Sequence, residues 1–213
     1  MNLNKRNLSL LWSAQIISAA GDAVYQLALL WLVLDMTNSS IVTGLVAMSA
    51  YLPALIFGLY AGVMADKMNR LWLMMIANAG QALTVLLIPF SLWFGYKNIL
   101  LVAGLAFLRS CFNTLFQPAF NSFIPMLFPK KRLVRVNALL ATSGQLAWML
   151  GPFFAGVLLS ISSLPNLFIV DSTSFIAAIF LLFFLRRPAR LTQLEEHSHW
   201  QELKDELSYL AEQ

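Results

Sequence analysis

Six long apolar runs, separated by short stretches where Lys, Arg, Asn, Ser, Gly and Pro collect, set the pattern of this chain. They cover about 8–34, 41–65, 71–94, 99–127, 136–160 and 167–185. At ~1.5 Å rise per residue most of them are long enough to cross ~30 Å of hydrocarbon as a helix. The pattern therefore predicts an all-α integral membrane protein with six transmembrane helices. Within the first run, Ala19-Ala20-Gly21 resembles the cleavage site of a signal peptide. Apolar character resumes after Asp22 and continues to Leu34, well beyond the ~7–15 residues of a signal core, so the run is read as a span.

Composition agrees with this pattern, since 59% of the residues are hydrophobic and 11% charged, against about 25% charged in soluble domains. The distribution of charge adds orientation. Of the 14 Lys and Arg residues, Lys5, Arg6, Lys67, Arg70, Lys130, Lys131, Arg132, Arg135, Arg186, Arg187, Arg190 and Lys204 fall on one side of a six-span topology. Lys97 falls on the other side, and Arg109 lies inside the fourth run. The positive-inside rule then places both termini in the cytoplasm, with Pro129 to Arg135 as a cytoplasmic loop. This scatter of small basic clusters argues against nucleic acid as a partner, although the pI is near 9.4. The single cysteine, Cys111, excludes an intrachain disulfide and a cysteine zinc site.

After Arg190 the chain turns polar and acidic, which divides it into a six-helix bundle at 1–190 and a cytoplasmic linker at 191–213. Leu203, Leu207 and Leu210 recur at helical spacing there, as in a short amphipathic helix. His197 and His199 also lie there and are read as solvated, so no metal site is predicted.

Ionisable residues inside the runs carry the chemical information, because a charge in hydrocarbon needs a partner or a wet cavity. Asp22 and Arg109 both fall near mid-membrane by rise per residue. A desolvated aspartate takes a proton more readily and a nearby guanidinium opposes this, so movement of Arg109 relative to Asp22 would load and release a proton. A permanent pair that only ties two helices together is the plainer alternative. Asp171 lies a few residues inside the sixth run, where water is expected to reach it, or where Ser172 or Ser174 would hydrogen-bond it. Arg109, Asn113, Gln117 and Asn121 recur every fourth residue and form one polar stripe. Pro118 and Pro125 are expected to kink that helix. Gly58 and Gly62 have the spacing that lets a second helix approach closely. No Ser/His/Asp, metal-ligand or phosphate-loop spacing occurs, so an enzyme is not predicted and no cofactor is implied.

Gly62, Asp66, Lys67 and Arg70 resemble the loop G-x-x-x-D-[RK]-x-G-R-[RK] between the second and third helices of the major facilitator superfamily of secondary transporters. Asn69 replaces the usual Gly and Leu71 the last basic residue. Gly151, Pro152 and Gly156 are similar to the family's fifth-helix antiporter motif, with Ala155 and Ala147 where Gly is usual. Arg109 and Asp22 match the membrane-embedded Arg and acidic residue of its proton-coupled exporters. Phe116 to Phe120, Val136 to Leu139 and Val170 to Phe175 resemble the branch of macrolide and siderophore (enterobactin) exporters. The resemblance implies the N-terminal half of a major facilitator fold, built as a 3+3 inverted repeat in a bacterial plasma membrane. It further implies proton-coupled efflux of amphiphilic small molecules, with a C-terminal six-helix half or a homodimer completing the site. A truncated, non-transporting membrane protein or assembly partner is the alternative.

Overall fold

The computed structural model describes residues 3–185, with side chains from Lys5 onward. Seven helical segments form six spans: α1 (Leu3–Thr37), α2 (Ser40–Ser49) with α3 (Leu52–Lys67), α4 (Arg70–Trp93), α5 (Ile99–Leu127), α6 (Lys130–Ile161) and α7 (Leu164–Phe183). No strand occurs among the described residues. Segment 191–213, with its predicted amphipathic helix and two histidines, lies outside them.

Local chemistry sets the helix ends. Asn38 closes α1 in the left-handed region at φ 49°, which Asn tolerates, and its N–H reaches the Leu34 carbonyl at 2.8 Å. Gly95, at φ 78°, ends α4: its N–H bonds to Leu92 and that of Tyr96 to Ser91, at 3.1 and 2.9 Å. Asn98 caps α5 by accepting from the Leu100 N–H at 2.9 Å. Asn69, the departure from the family loop, caps α4 through the Trp72 N–H at 3.3 Å. Arg6 donates to the Phe184 carbonyl at 3.2 Å, which fixes the start of α1 beside the end of α7. This is the basic end of the bundle.

Several expectations change. The second run, read as one helix, is broken at Ala50-Tyr51, because Pro53 in the first turn of α3 has no N–H to offer the Ser49 carbonyl. The Ala50 carbonyl exposed by the break accepts instead from Ser110 Oγ of α5. The predicted loop at Pro129 to Arg135 is helix from Lys130 on, since Pro129 stands as N-cap and good helix formers follow it. Gly58 and Gly62 meet no other helix, because the face of α3 that carries them is open. The close approaches are made instead by Gly21, against Ser174 and Asp171, by Gly80, against Phe112, and by Gly151, against Ala23.

Packing repeats across the bundle. α1 lies along α7 as α5 lies along α4, α6 packs on α1 as α3 packs on α5, and α4 and α7 pack on each other. Exchanging α1 with α5, α2–α3 with α6, and α4 with α7 preserves these pairings. Spans three apart run in opposite directions, so the two halves are inverted repeats. Two apolar clusters result. Leu11, Met74, Phe123 and Leu182 belong to the one nearer the basic end, and Leu29, Val85, Val102 and Phe168 to the other. Asp22 falls between Ala14 and Val24, and Arg109 between Ala106 and Phe116, so the charges sit where the clusters meet.

Candidate functional site

Arg109 reaches from α5 into the space between α1 and α7. Its Nη2 donates to Asp22 Oδ1 in an ion pair, and the same nitrogen lies 3.6 Å from Asp171 Oδ2. The guanidinium carbon sits 3.9 Å from the centroid of the Tyr25 ring and 5.5 Å from that of Phe175. Such desolvated cation–π contacts are worth on the order of 2 kcal/mol and hold the plane of the guanidinium. Tyr25 in turn packs edge-on against Phe168 at 5.8 Å. One guanidinium therefore serves two carboxylates from different helices.

The carboxylates differ in surroundings. The side chain of Asp22 is 27% exposed, that of Arg109 12% and that of Asp171 0%. Of the two expectations for Asp171, water does not reach it, since it is sealed, whereas Ser174 does stand beside it. Asp171 lies two turns into α7 on the face pressed against Gly21, where a Cβ would collide with Asp171 and Ser174. Ser174 Oγ donates to the main-chain carbonyl of Asp171 at 2.7 Å and lies close to its carboxylate, whose nearest cation is Arg109.

Asp22 opens onto a polar cleft of about 460 Å³ between α1, α5 and α6. Gln117 and Asn121 from the predicted stripe line it, joined by Gln15, Asn137 and Gln145, with Phe120 and Trp148 beside them. Asn113 is half-buried and is not among its lining residues. Sequence reasoning missed Gln15, Gln145 and Tyr25. The signal was present, since Gln15, Ala19 and Asp22 share one helical face, as do Asn137, Ala141, Gly144 and Trp148. Buried Asn78 and Gln81 on α4 also went unnoticed within an apolar run.

The other predicted residues stand apart from this site. Asp66 and Lys67 are exposed at the basic end, and Arg70 Nη2 reaches the Asp66 main-chain carbonyl at 3.5 Å. Gly62 faces open space. In the fifth-span motif Gly151 packs on α1 and Pro152 is exposed. Ala155 is fully buried, whereas Gly156 meets nothing.

The sequence profile of the transmembrane secretion effector family, a branch of the major facilitator superfamily, matches residues 2–212. The chain belongs to that family. It is 30% identical to an uncharacterised MFS-type transporter, YfiS, of Bacillus subtilis over 97% of the chain and 50% of the relative. It is 25% identical to macrolide efflux protein A of Streptococcus pyogenes over 84% of the chain and 44% of that protein. The multidrug efflux pump Tap of Mycobacterium tuberculosis is 31% identical over 75% of the chain and 39% of the pump. The chain thus spans about half the length of the relatives it matches. Membership in this family of transporters and six apolar spans make it a multi-pass protein of the bacterial cell membrane, with half of a major facilitator fold.

Proposed function

We propose that this chain is one six-helix half of a proton-coupled exporter of amphiphilic small molecules such as drugs or siderophores, and not an enzyme. The observation that carries the reading is the Asp22–Arg109 pair at the inner end of a polar cleft. Amide side chains beside Phe120 and Trp148 suit a ligand with both polar and apolar parts. Two relatives whose names describe macrolide and multidrug efflux support the export direction. A proton arriving at an Asp22 carboxylate oxygen would neutralise it and release its hold on Arg109, loosening α1 from α5. Such loosening is the change that lets one bundle rock against another around a midplane site. The basic end faces the cytoplasm in this reading, and the second six-helix half covers the cleft.

Asp22→Asn keeps size and hydrogen bonding but cannot titrate. In the complete transporter it is expected to abolish pH-gradient-driven export while membrane insertion persists. Full gradient-driven export by that variant would remove Asp22 from the coupling role. The second reading is a non-transporting membrane protein or assembly partner, in which the Asp22–Arg109 ion pair only ties α1 to α5. Export that never appears when this chain is joined to or coexpressed with a matching C-terminal half would support it.

A further inference from the structure

We propose that Asp171 is the second carboxylate of a single-proton site: Arg109 balances one of the two carboxylates, and one bound proton neutralises the other. The inference deepens the proton-coupling reading of Asp22 and Arg109 and rests on it. It starts from charge arithmetic. Asp22 and Asp171 ionised together with Arg109 sum to −1 in a place walled by apolar clusters. A net charge at that depth is strongly unfavourable, and one proton brings the sum to zero.

Among the described residues no other group supplies the balance: in the second span Tyr51 and Tyr60 are exposed, and Asp66 and Lys67 lie at the basic end. α1 presents Asp22 and Tyr25 to the cluster, and α5 presents Arg109, with Cys111 half-buried two residues on. α4 carries no ionisable side chain after Arg70, and α6 none after Arg135. On α7, Asp171 is alone. Tyr25 contributes its ring face to the guanidinium and no charge.

Geometry then distributes the proton. With Arg109 hydrogen-bonded to Asp22, the proton belongs on Asp171, which is fully buried and lies farther from the guanidinium. When Asp22, the member that meets the cleft, gains a proton, an O–H bond forms there. The proton is the one released when the O–H bond of Asp171 breaks, and Arg109 closes the 3.6 Å gap to the carboxylate left there, so one proton has moved from Asp171 to Asp22 and leaves or returns through the cleft. The sum stays at zero in both arrangements. Asp171 thus acts as the positioning residue that keeps a counter-charge beside Arg109 when Asp22 is neutral.

The chain has five aspartates, so carboxyl-13C aspartate labelling in lipid nanodiscs gives a countable NMR spectrum, assigned by single Asp→Asn variants. At neutral pH the unmodified chain is expected to show one protonated carboxyl shared between Asp22 and Asp171. Asp171→Asn should leave Asp22 ionised, Asp22→Asn should leave Asp171 ionised, and Arg109→Gln should leave both protonated. Asp171→Glu should restore the shared proton, with unchanged Asp35 and Asp66 signals reporting an intact fold. Two ionised carboxylates in the unmodified chain would overturn the proposal. So would an Asp171→Asn chain whose Asp22 titrates as before, although the coupling role of Asp22 would then stand. If Asp22 stays ionised throughout the acid titration in every variant, both readings fall together.

Discussion

Gly21 and Gly151 show how much of this bundle hangs on single missing methyl groups. A Cβ on Gly151 would overlap the Cβ of Ala23 and crowd its backbone, and one on Gly21 would strike Ser174 and Asp171. Apolar area gives little drive to associate helices within lipid, so such close backbone contacts carry the packing. Gly151→Ala is expected to destabilise the bundle by ~1 to 3 kcal/mol, the usual cost of overpacking, while Gly58→Ala should be neutral because nothing stands near it. Thermal unfolding in detergent will check the pair, and equal effects at both positions would contradict the packing described. Gly21→Ala has a further readout, since it displaces Asp171 from Arg109 and should alter carboxyl protonation as well as stability.

Among the elements, the broken second span has the clearest physical logic. Within a bilayer each backbone polar group must find a partner inside the protein, and the break at Ala50-Tyr51 leaves a carbonyl that only Ser110 serves. Ser110 adjoins Arg109, so one turn of α5 holds both the charged cluster and the break. Ser110→Ala is expected to cost ~1 to 3 kcal/mol through the unsatisfied carbonyl. It should also speed amide exchange across 48–55 more than in α4. Exchange unchanged there would mean that the carbonyl finds another partner. α3 and α6 are the least enclosed spans, with Leu59 92% and Met149 77% exposed.

For the molecule as a whole, orientation and completeness are the testable properties. Cysteines placed at Ser39, Lys97 and Ser163 are expected to label from outside intact cells, and those at Lys67, Lys131 and Arg187 to stay protected, in line with the distribution of basic residues. Swapped accessibility at two positions would reverse the assignment of sides. Expressed by itself, the 213-residue chain should insert yet export nothing, because alternating access needs a second bundle to rock against. Export by this chain alone would instead point to a homodimer.

The number of spans, the basic end and the family loop were legible in the chain because they depend on local properties: run length, sign of charge and short spacing. Asp22 and Arg109 were legible as a candidate pair because rise per residue gives depth, and opposite charges at one depth in hydrocarbon are stabilised by meeting. Depth says nothing of azimuth. Whether Asp171 faced water or the bundle axis, whether Gly58 or Gly21 received a neighbour, and which amides joined the cleft all depended on how helices distant in sequence pack. The break in the second span was half-readable, since Pro53 marks it, but the hydroxyl that completes it comes from a helix sixty residues away. Only the tertiary structure could bring one guanidinium between two carboxylates from opposite ends of the chain, because that contact is a property of three packed helices and of none of them singly.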